Sequence, residues 1–220
     1  LAAMWQLPRT HMGGTKAMRA AAVRYLPLQA AESTEAYNAR LCRSTLFNGF
    51  RKTVRDMTGK VFSKPVTLEK DVLAEIVTFA ENIDLAGRHL NVFARDAFFD
   101  GMQTGIGYIL TEMPAPIEPG KGSGRAGEVT KADEANRRPY LCYIKAEDLI
   151  GWQIENYDGV PTLVQARIRE SVSEKDGQFG ETSVPQVRVL YPGRWEIWRE
   201  AVEGPDKGKW VLFGSGLTTL

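Results

Sequence analysis

The sequence predicts an α+β fold in which helices come first and a mainly antiparallel sheet follows. Three observations carry that prediction. Apolar residues recur at helical spacing up to about Gly101 and alternate one-on, one-off beyond it. Elements of one kind run together instead of interleaving, which argues against a doubly wound parallel sheet. Turn residues such as Pro192-Gly193 join the later segments closely enough for hairpins.

The helical half begins with "KAMRAAAVRYLP", an Ala-rich segment that Pro27 ends. "STEAYNARLCRSTLFNGFRKTVRDMTGKVF" reads as one long helix. Ser33 or Thr34 caps it, Gly59 stops it, and Tyr37, Leu41, Phe47, Phe50, Val54 and Met57 form its apolar stripe. "TLEKDVLAEIVTFAENI" is a third helix with Leu68, Val72, Leu73 and Ile76 inward. "DLAGRHLNVFARDAFFDGM" is a fourth, with Leu90, Phe93, Ala97 and Phe98 on its apolar side.

The strand half opens with "GIGYILTE". "PYLCYIK" and "LIGWQIE" follow, and Ile150, Trp152 and Ile154 alternate with polar neighbours as on a half-buried strand. In "TLVQARIRESV", Val164, Ala166 and Ile168 oppose Gln165, Arg167 and Arg169. "QVRVLY" and "RWEIWRE" flank the Pro192-Gly193 turn, and "EGPDKG" turns into "KWVLF". The tryptophans of this half read mostly as core, but Trp195 and Trp198 cannot both point inward on a regular strand, so one of them is a candidate for an interface. The organisation is then a mainly helical part over 1–113, a flexible loop over 114–138 and a β-rich part over 139–220.

Composition bounds the function. The 220 residues are 43% hydrophobic and 25% charged, with a formal net charge of +1. A protein built to grip nucleic acid carries a clear basic excess, which is missing. Cys42 and Cys142 are too few for a disulfide scaffold, and a reducing compartment is expected. No apolar run long enough for a membrane span occurs, and the first residues lack a signal-peptide pattern. The chain opens on Leu1 and stops at "SGLTTL" without a closing element, as a piece of a longer protein would.

Chemical motifs are sparse. "EPGKGSGRAGEVTK" (118–131) is glycine-rich, but a phosphate loop needs G-x-x-x-x-G-K-[ST] ahead of a helix, and here Lys121 follows the first glycine with no Ser or Thr after it. A linker is the better reading. His11 and His89 lie far apart, and so do the two cysteines, which are expected as inert core thiols. Asp96 and Asp100 share a helix face and form the one acid pair worth testing. Arg40, Arg43, Arg51, Lys52 and Arg55 decorate the long helix and are candidates for a subunit interface or for facing phosphates. No catalytic, cofactor or metal site is assigned.

The order of several segments is similar to that of tailed-bacteriophage portal proteins of siphovirus type. These segments are "RYLP", "YNARLCRSTLFNGFRKTVRDMTGKVFSKPV", "NIDLAGRHLNVFARDAFFDGMQTGIGYILTEMP", "RRPYLCYIKAEDLIGWQ", "RIRES" and "VRVLYPGRWEIW". The resemblance implies a structural, non-enzymatic protein of the virion, assembled in the bacterial cytoplasm. It implies a homo-oligomeric ring, typically of twelve subunits, at one capsid vertex. Double-stranded DNA passes through such a ring without sequence specificity, and capsid, scaffold, terminase and tail connector are the partners. This chain would correspond to the outer wing, with stem and clip absent. A near-neutral charge suits a conduit through which DNA slides, because each neutralised phosphate adds grip.

Overall fold

The computed structural model describes residues 2–114, 117, 120–121, 123–125, 128–131 and 137–218. Helices precede antiparallel strands, so the fold is α+β as the spacing predicts. The chain divides into two compact units, 1–108 and 109–220.

In the first unit, α1 (Ala2–Ala21) is kinked at Gly14, where φ is 71°. That positive φ favours glycine, and the bend brings in a neighbour: the Asn48 amide lies 3.9 Å from where a Cβ would stand. Asn48 uses both ends of its amide at this point. Its Nδ2 donates to the His11 carbonyl, and its Oδ1 accepts the Arg51 N–H at 2.9 Å, capping α3 (Gly49–Val61). The predicted Ala-rich helix covers only the end of α1, from Lys16 to Ala21, and the turns before it, which contain Pro8 and the Gly13-Gly14 pair, were not predicted.

The predicted long helix is therefore two helices, α2 (Thr34–Arg43) and α3, separated by residues 44–48. Ser33 caps α2 by accepting the Ala36 N–H at 3.2 Å. The break lets Thr15 Oγ1 accept the Leu46 N–H at 3.2 Å and Asn48 reach α1. It also rotates the assumed stripe out of phase. Val54 is 2% exposed, whereas Phe47 is 93% exposed and Met57 lies at the surface. Gly59 sits inside α3, which runs on to Val61.

The third predicted helix is only α4 (Ala74–Glu81), and its inward residue is Ala80; Leu68, Leu73 and Ile76 are exposed. Between α4 and α5 (Leu90–Thr104), the segment "NIDLAGR" is a built turn. Asp84 Oδ1 accepts the N–H groups of Ala86 and Arg88 at 2.9 and 3.1 Å, and Asn82 Oδ1 accepts that of Gly87 at 2.8 Å. Ile83, 2% exposed, closes the turn with an N–H donated to the Arg88 carbonyl at 2.8 Å. His89 Nδ1 then accepts the Asn91 N–H at 3.1 Å and caps α5. Phe93 faces the core as expected. Helices α1, α3 and α5 pack together, with Phe62 and Phe98 edge-to-face at 5.7 Å.

In the second unit, β1 (Tyr108–Glu112) pairs with β2 (Tyr140–Ile144). Five further strands form an antiparallel meander in chain order: β3 (Leu149–Tyr157), β4 (Val160–Asp176), β5 (Gly180–Tyr191), β6 (Arg194–Glu200) and β7 (Trp210–Leu217). Side chains at paired positions share a face. One row runs Trp152, Ala166, Leu190, Trp195, Gly216, and the next runs Ile168, Arg188, Ile197, Gly214. Trp198 pairs with Val187 and Leu212 on the opposite face, so the two tryptophans do point apart. A Cβ at Gly216 would come within 2.8 Å of the Trp195 ring, so glycine makes the seat for that indole. Ile150, Trp152 and Ile154 are exposed instead of half-buried, because β3 is an edge strand whose apolar face is uncovered.

Two outcomes test this packing. Phe47→Ala leaves chemical stability within about 0.5 kcal/mol, the range of a surface change, whereas Val54→Ala costs about 1.5–3 kcal/mol; denaturant titration measures both. The Asp84 carboxyl is the second. Burial pushes its pKa up, but the Arg88 and Ala86 N–H groups and the Arg88 guanidinium outweigh burial and hold it below the usual carboxylate range. Its stabilising contribution is therefore complete above about pH 4, the unfolded value, and is lost as pH falls through the lower folded value. Thermal melts from pH 6 to pH 2 should show Asp84→Asn less stable than the parent at pH 6, with a smaller loss on acidification.

Candidate functional site

The five cations singled out from the sequence do not form one surface on one helix. Arg40 and Arg43 lie on α2, and Arg51, Lys52 and Arg55 on α3. Arg40 is committed locally. Its Nε and Nη2 donate to the Glu32 carboxylate at 2.7 and 2.6 Å, its Nη2 also donates to the Pro27 carbonyl at 2.9 Å, and its guanidinium lies over the Tyr37 ring. The Arg40 bond holds the Glu32 carboxyl below its ordinary value. Arg43 bonds its own helix through the Ala39 carbonyl, and Lys52 pairs with Asp56 at 2.6 Å on an exposed face. Arg55 is exposed on α3, and Arg51 stands near the Gly14 kink.

The acid pair separates in the same way. Asp100 is tied to α1, where Arg9 Nη2 donates to its Oδ2 at 2.9 Å while Arg9 Nη1 bonds its Oδ1 and the Gln103 Oε1. Asp96 is exposed beside Arg95 at 3.3 Å. The two carboxylates thus serve different neighbours. Among the described residues no group of three or more His, Cys, Asp or Glu is placed to hold a metal ion, and no helix is long and apolar enough to cross a membrane. His11 Nδ1 lies 2.9 Å from the Leu7 carbonyl, and His89 is a helix cap. Cys42 is exposed, not a core thiol, because α2 turns that face to solvent. In the glycine-rich segment, the Gly124 N–H donates to the Glu128 carbonyl at 2.9 Å and Ser123 Oγ bonds Thr130 Oγ1 at 3.0 Å. These groups close a turn on themselves; Gly122, Ala126 and Gly127 lie outside the described residues.

The charged constellation that the structure does assemble is in the second unit. Arg188, on the row of β5 that also carries Gln186 and Leu190, bonds Glu112 of β1 through Nη1 and Glu170 of β4 through Nε at 2.7 Å and through Nη2. Glu112 also accepts the Tyr140 hydroxyl at 2.7 Å and lies 3.8 Å from the Cys142 thiol. Gln186, 4% exposed, donates to Glu170 at 3.2 Å and accepts Arg199 Nε and Nη2 at 3.1 and 3.0 Å. Arg199 continues to Glu174 at 2.7 Å and stacks on Phe213 with 3.5 Å to the ring centre.

The electrostatics follow from this geometry. Burial works against the Arg188 charge, but Glu170 and Glu112 more than offset it, so the guanidinium stays protonated. Burial, and then Glu112, push the Cys142 thiol up to about 11, and the same two causes raise the Tyr140 hydroxyl. Cys142 is therefore a thiol at neutral pH and a poor nucleophile. The cluster joins six strands through bonds among its own side chains. Strand alternation alone did not single out these residues. The available signal was a charged residue, Arg188, on the same strand face as Leu190 and Val184, with Glu170 on the matching face of the neighbouring strand.

The remaining surface carries many large apolar side chains. Among the described residues eight hydrophobic side chains are buried, while thirty large ones are exposed. They include Ile150, Trp152, Ile154 and Leu163 on β3 and β4, and Trp210, Val211, Leu212 and Phe213 on β7. β3 and β7 are the two edges of the five-stranded sheet, and Leu163 lies on β4 beside the first of them.

Removing one partner of the central cluster tests its weight. Arg188→Met leaves Glu112 and Glu170 facing each other without a cation. It should cost stability near the lower end of the ~3–5 kcal/mol typical of broken buried pairs, since these groups are partly solvated. Denaturant unfolding followed by tryptophan fluorescence measures it, and Glu174→Gln, at the open end of the chain of bonds, should cost far less.

No protein-family model matches the sequence, and no curated protein matches it.

Proposed function

We propose that this chain is the wing region of a tailed-phage portal protein, a structural subunit of a closed ring at the capsid vertex. One observation carries the reading: both units hold small cores and leave large apolar side chains at the surface, on sheet edges and helix faces alike. Exposed apolar surface of this extent marks a subunit that is finished by its neighbours. The order of segments similar to portal proteins gives those neighbours an identity: further copies of the chain, then capsid and scaffold proteins, with terminase and tail connector meeting other parts of the ring.

The balance of charge supports a passive role toward DNA. A net charge of +1 gives little general attraction to phosphate. Two of the candidate cations, Arg40 and Lys52, are already paired with carboxylates. The subunit guides duplex DNA without reading its sequence and performs no hydrolysis. Arg43, Arg51 and Arg55 remain as charges for subunit contacts, where exposed pairs set register more than affinity. Asp100 is held by Arg9, so Glu200, exposed on β6, is the better acidic counterpart.

Electron microscopy of the complete translated protein tests the proposal. Closed rings with a central channel are expected, and ATPase and nuclease assays should give no turnover. A stable monomer across salt and protein concentration, together with magnesium-dependent nucleotide turnover that Asp96→Ala removes, would overturn it.

A further inference from the structure

The longest hairpin of the sheet outruns its neighbours. β3 stops pairing with β4 at Ile168, and β6 pairs with β5 only from Gln186 onward. Six further cross-strand pairs, from Ser171–Pro185 to Asp176–Gly180, have no strand beside them. They form a two-stranded arm about 20 Å long at the usual rise per residue. Isolated two-stranded hairpins are marginal in water. At its tip stands Phe179, 92% exposed. Nothing in the fold uses this ring, since the tip would close equally well around a polar residue. Around it the arm carries Glu174, Asp176 and Glu181 against a single cation, Lys175.

The first unit holds a matching recess. Met18 and Arg19 of α1, Tyr25 and Leu26 after it, Leu41 of α2, and Leu46 beyond line a cleft of about 170 Å³. An apolar cavity of about 150 Å³ is known to accept a benzene ring, so the volume suits a benzyl side chain. No carboxylate is among the described residues that line the cleft. Arg19 is in its wall, where its Nε donates to the Ser44 carbonyl at 2.9 Å. The arm is acidic, whereas the charged residue in the cleft lining is the cation Arg19, and the arm offers an aromatic anchor where the cleft offers an apolar seat, the pairing found at interface hot spots.

We infer that Phe179 at the arm tip of one copy docks in the α1–α2 cleft of a second copy, with Asp176 and Glu181 facing Arg19. The inference rests on the reading that the chain assembles with itself, and it names the contact. Tip and cleft are different surfaces, so the contact is heterologous and repeats from copy to copy, closing a ring or extending a chain.

The test is photo-crosslinking of the complete translated protein with p-benzoylphenylalanine in place of Phe179, mixed as light and isotopically heavy copies before irradiation. Crosslinks from position 179 to residues 15–26 or 41–46 of the other isotopic form are expected. Phe179→Ala should keep the parent's thermal melt and weaken self-association at least tenfold in sedimentation, while Phe179→Leu retains most of it. Crosslinks confined to one copy or falling elsewhere, or unchanged assembly of Phe179→Ala, overturn the docking and leave self-assembly standing. A parent protein that stays monomeric at every concentration removes both.

Discussion

Arg188 is the constraint on which the second unit depends. A guanidinium placed on a sheet face among apolar residues carries a desolvation cost that only well-placed carboxylates offset. Glu170 comes from the adjacent strand and Glu112 from the two-stranded sheet, so satisfying one charge fixes three strands at once. The register of β4 on β5 follows, since sliding by one residue would move Glu170 to the other face and leave Arg188 unmatched. Gln186 and Arg199 extend the same logic to β6, and the stack of Arg199 on Phe213 carries it to β7. A cluster of this kind adds little net stability compared with apolar packing. Its effect is to make one pairing far better than its neighbours.

The first unit solves a related problem with short polar side chains. Helices that end inside a small domain leave unpaired N–H and C=O groups. Asn48 serves the kink of α1 and the start of α3 with one amide, and Asp84, Asn82 and His89 do the same between α4 and α5. These residues, rather than long apolar stripes, decide where the helices stop. The same choice explains the modest core. Short helices joined by side-chain-capped turns bury few residues each, and Val54, Ile83 and Phe93 hold most of what is buried.

This difference also explains what was legible in the sequence. Strand alternation has a period of two and survives in short windows, so a segment of each of the seven strands and the Pro192-Gly193 turn could be read directly, but the polar ends of β4 and β5, Ser173–Asp176 and Gly180–Pro185, gave no apolar alternation and were missed. The opposite facing of Trp195 and Trp198 followed from the same period. Helical boundaries were less visible. The stripe through Tyr37, Phe47 and Val54 continued in spacing across a break that only the Asn48 contact to α1 reveals. Contacts between residues distant in sequence left no local mark either: Arg9 with Asp100, and Arg188 with Glu112. The candidate cations were correctly placed on helices, but their pairing with Glu32 and Asp56 depends on geometry that residue type alone does not give.

The exposed edges then acquire a physical meaning. Edge strands in monomers are blunted by lysine, proline or a covering segment, because an open edge invites pairing with another chain. β7 carries Trp210, Val211, Leu212 and Phe213 in succession, apolar on both faces and uncovered. A continuous apolar run is the pattern of a strand covered on both sides. β3, at the other edge, shows Trp152 and Ile154 and has neither proline nor lysine along its length. In an isolated copy these residues meet water and contribute little. If neighbouring copies cover them, as we propose, each ring and branched chain contributes its full transfer free energy, and the arm of β4 and β5 gains the support its own two strands lack. In the ring we propose, the sheet would reach its full stability only on assembly, with the internal charge cluster holding the register that presents those edges.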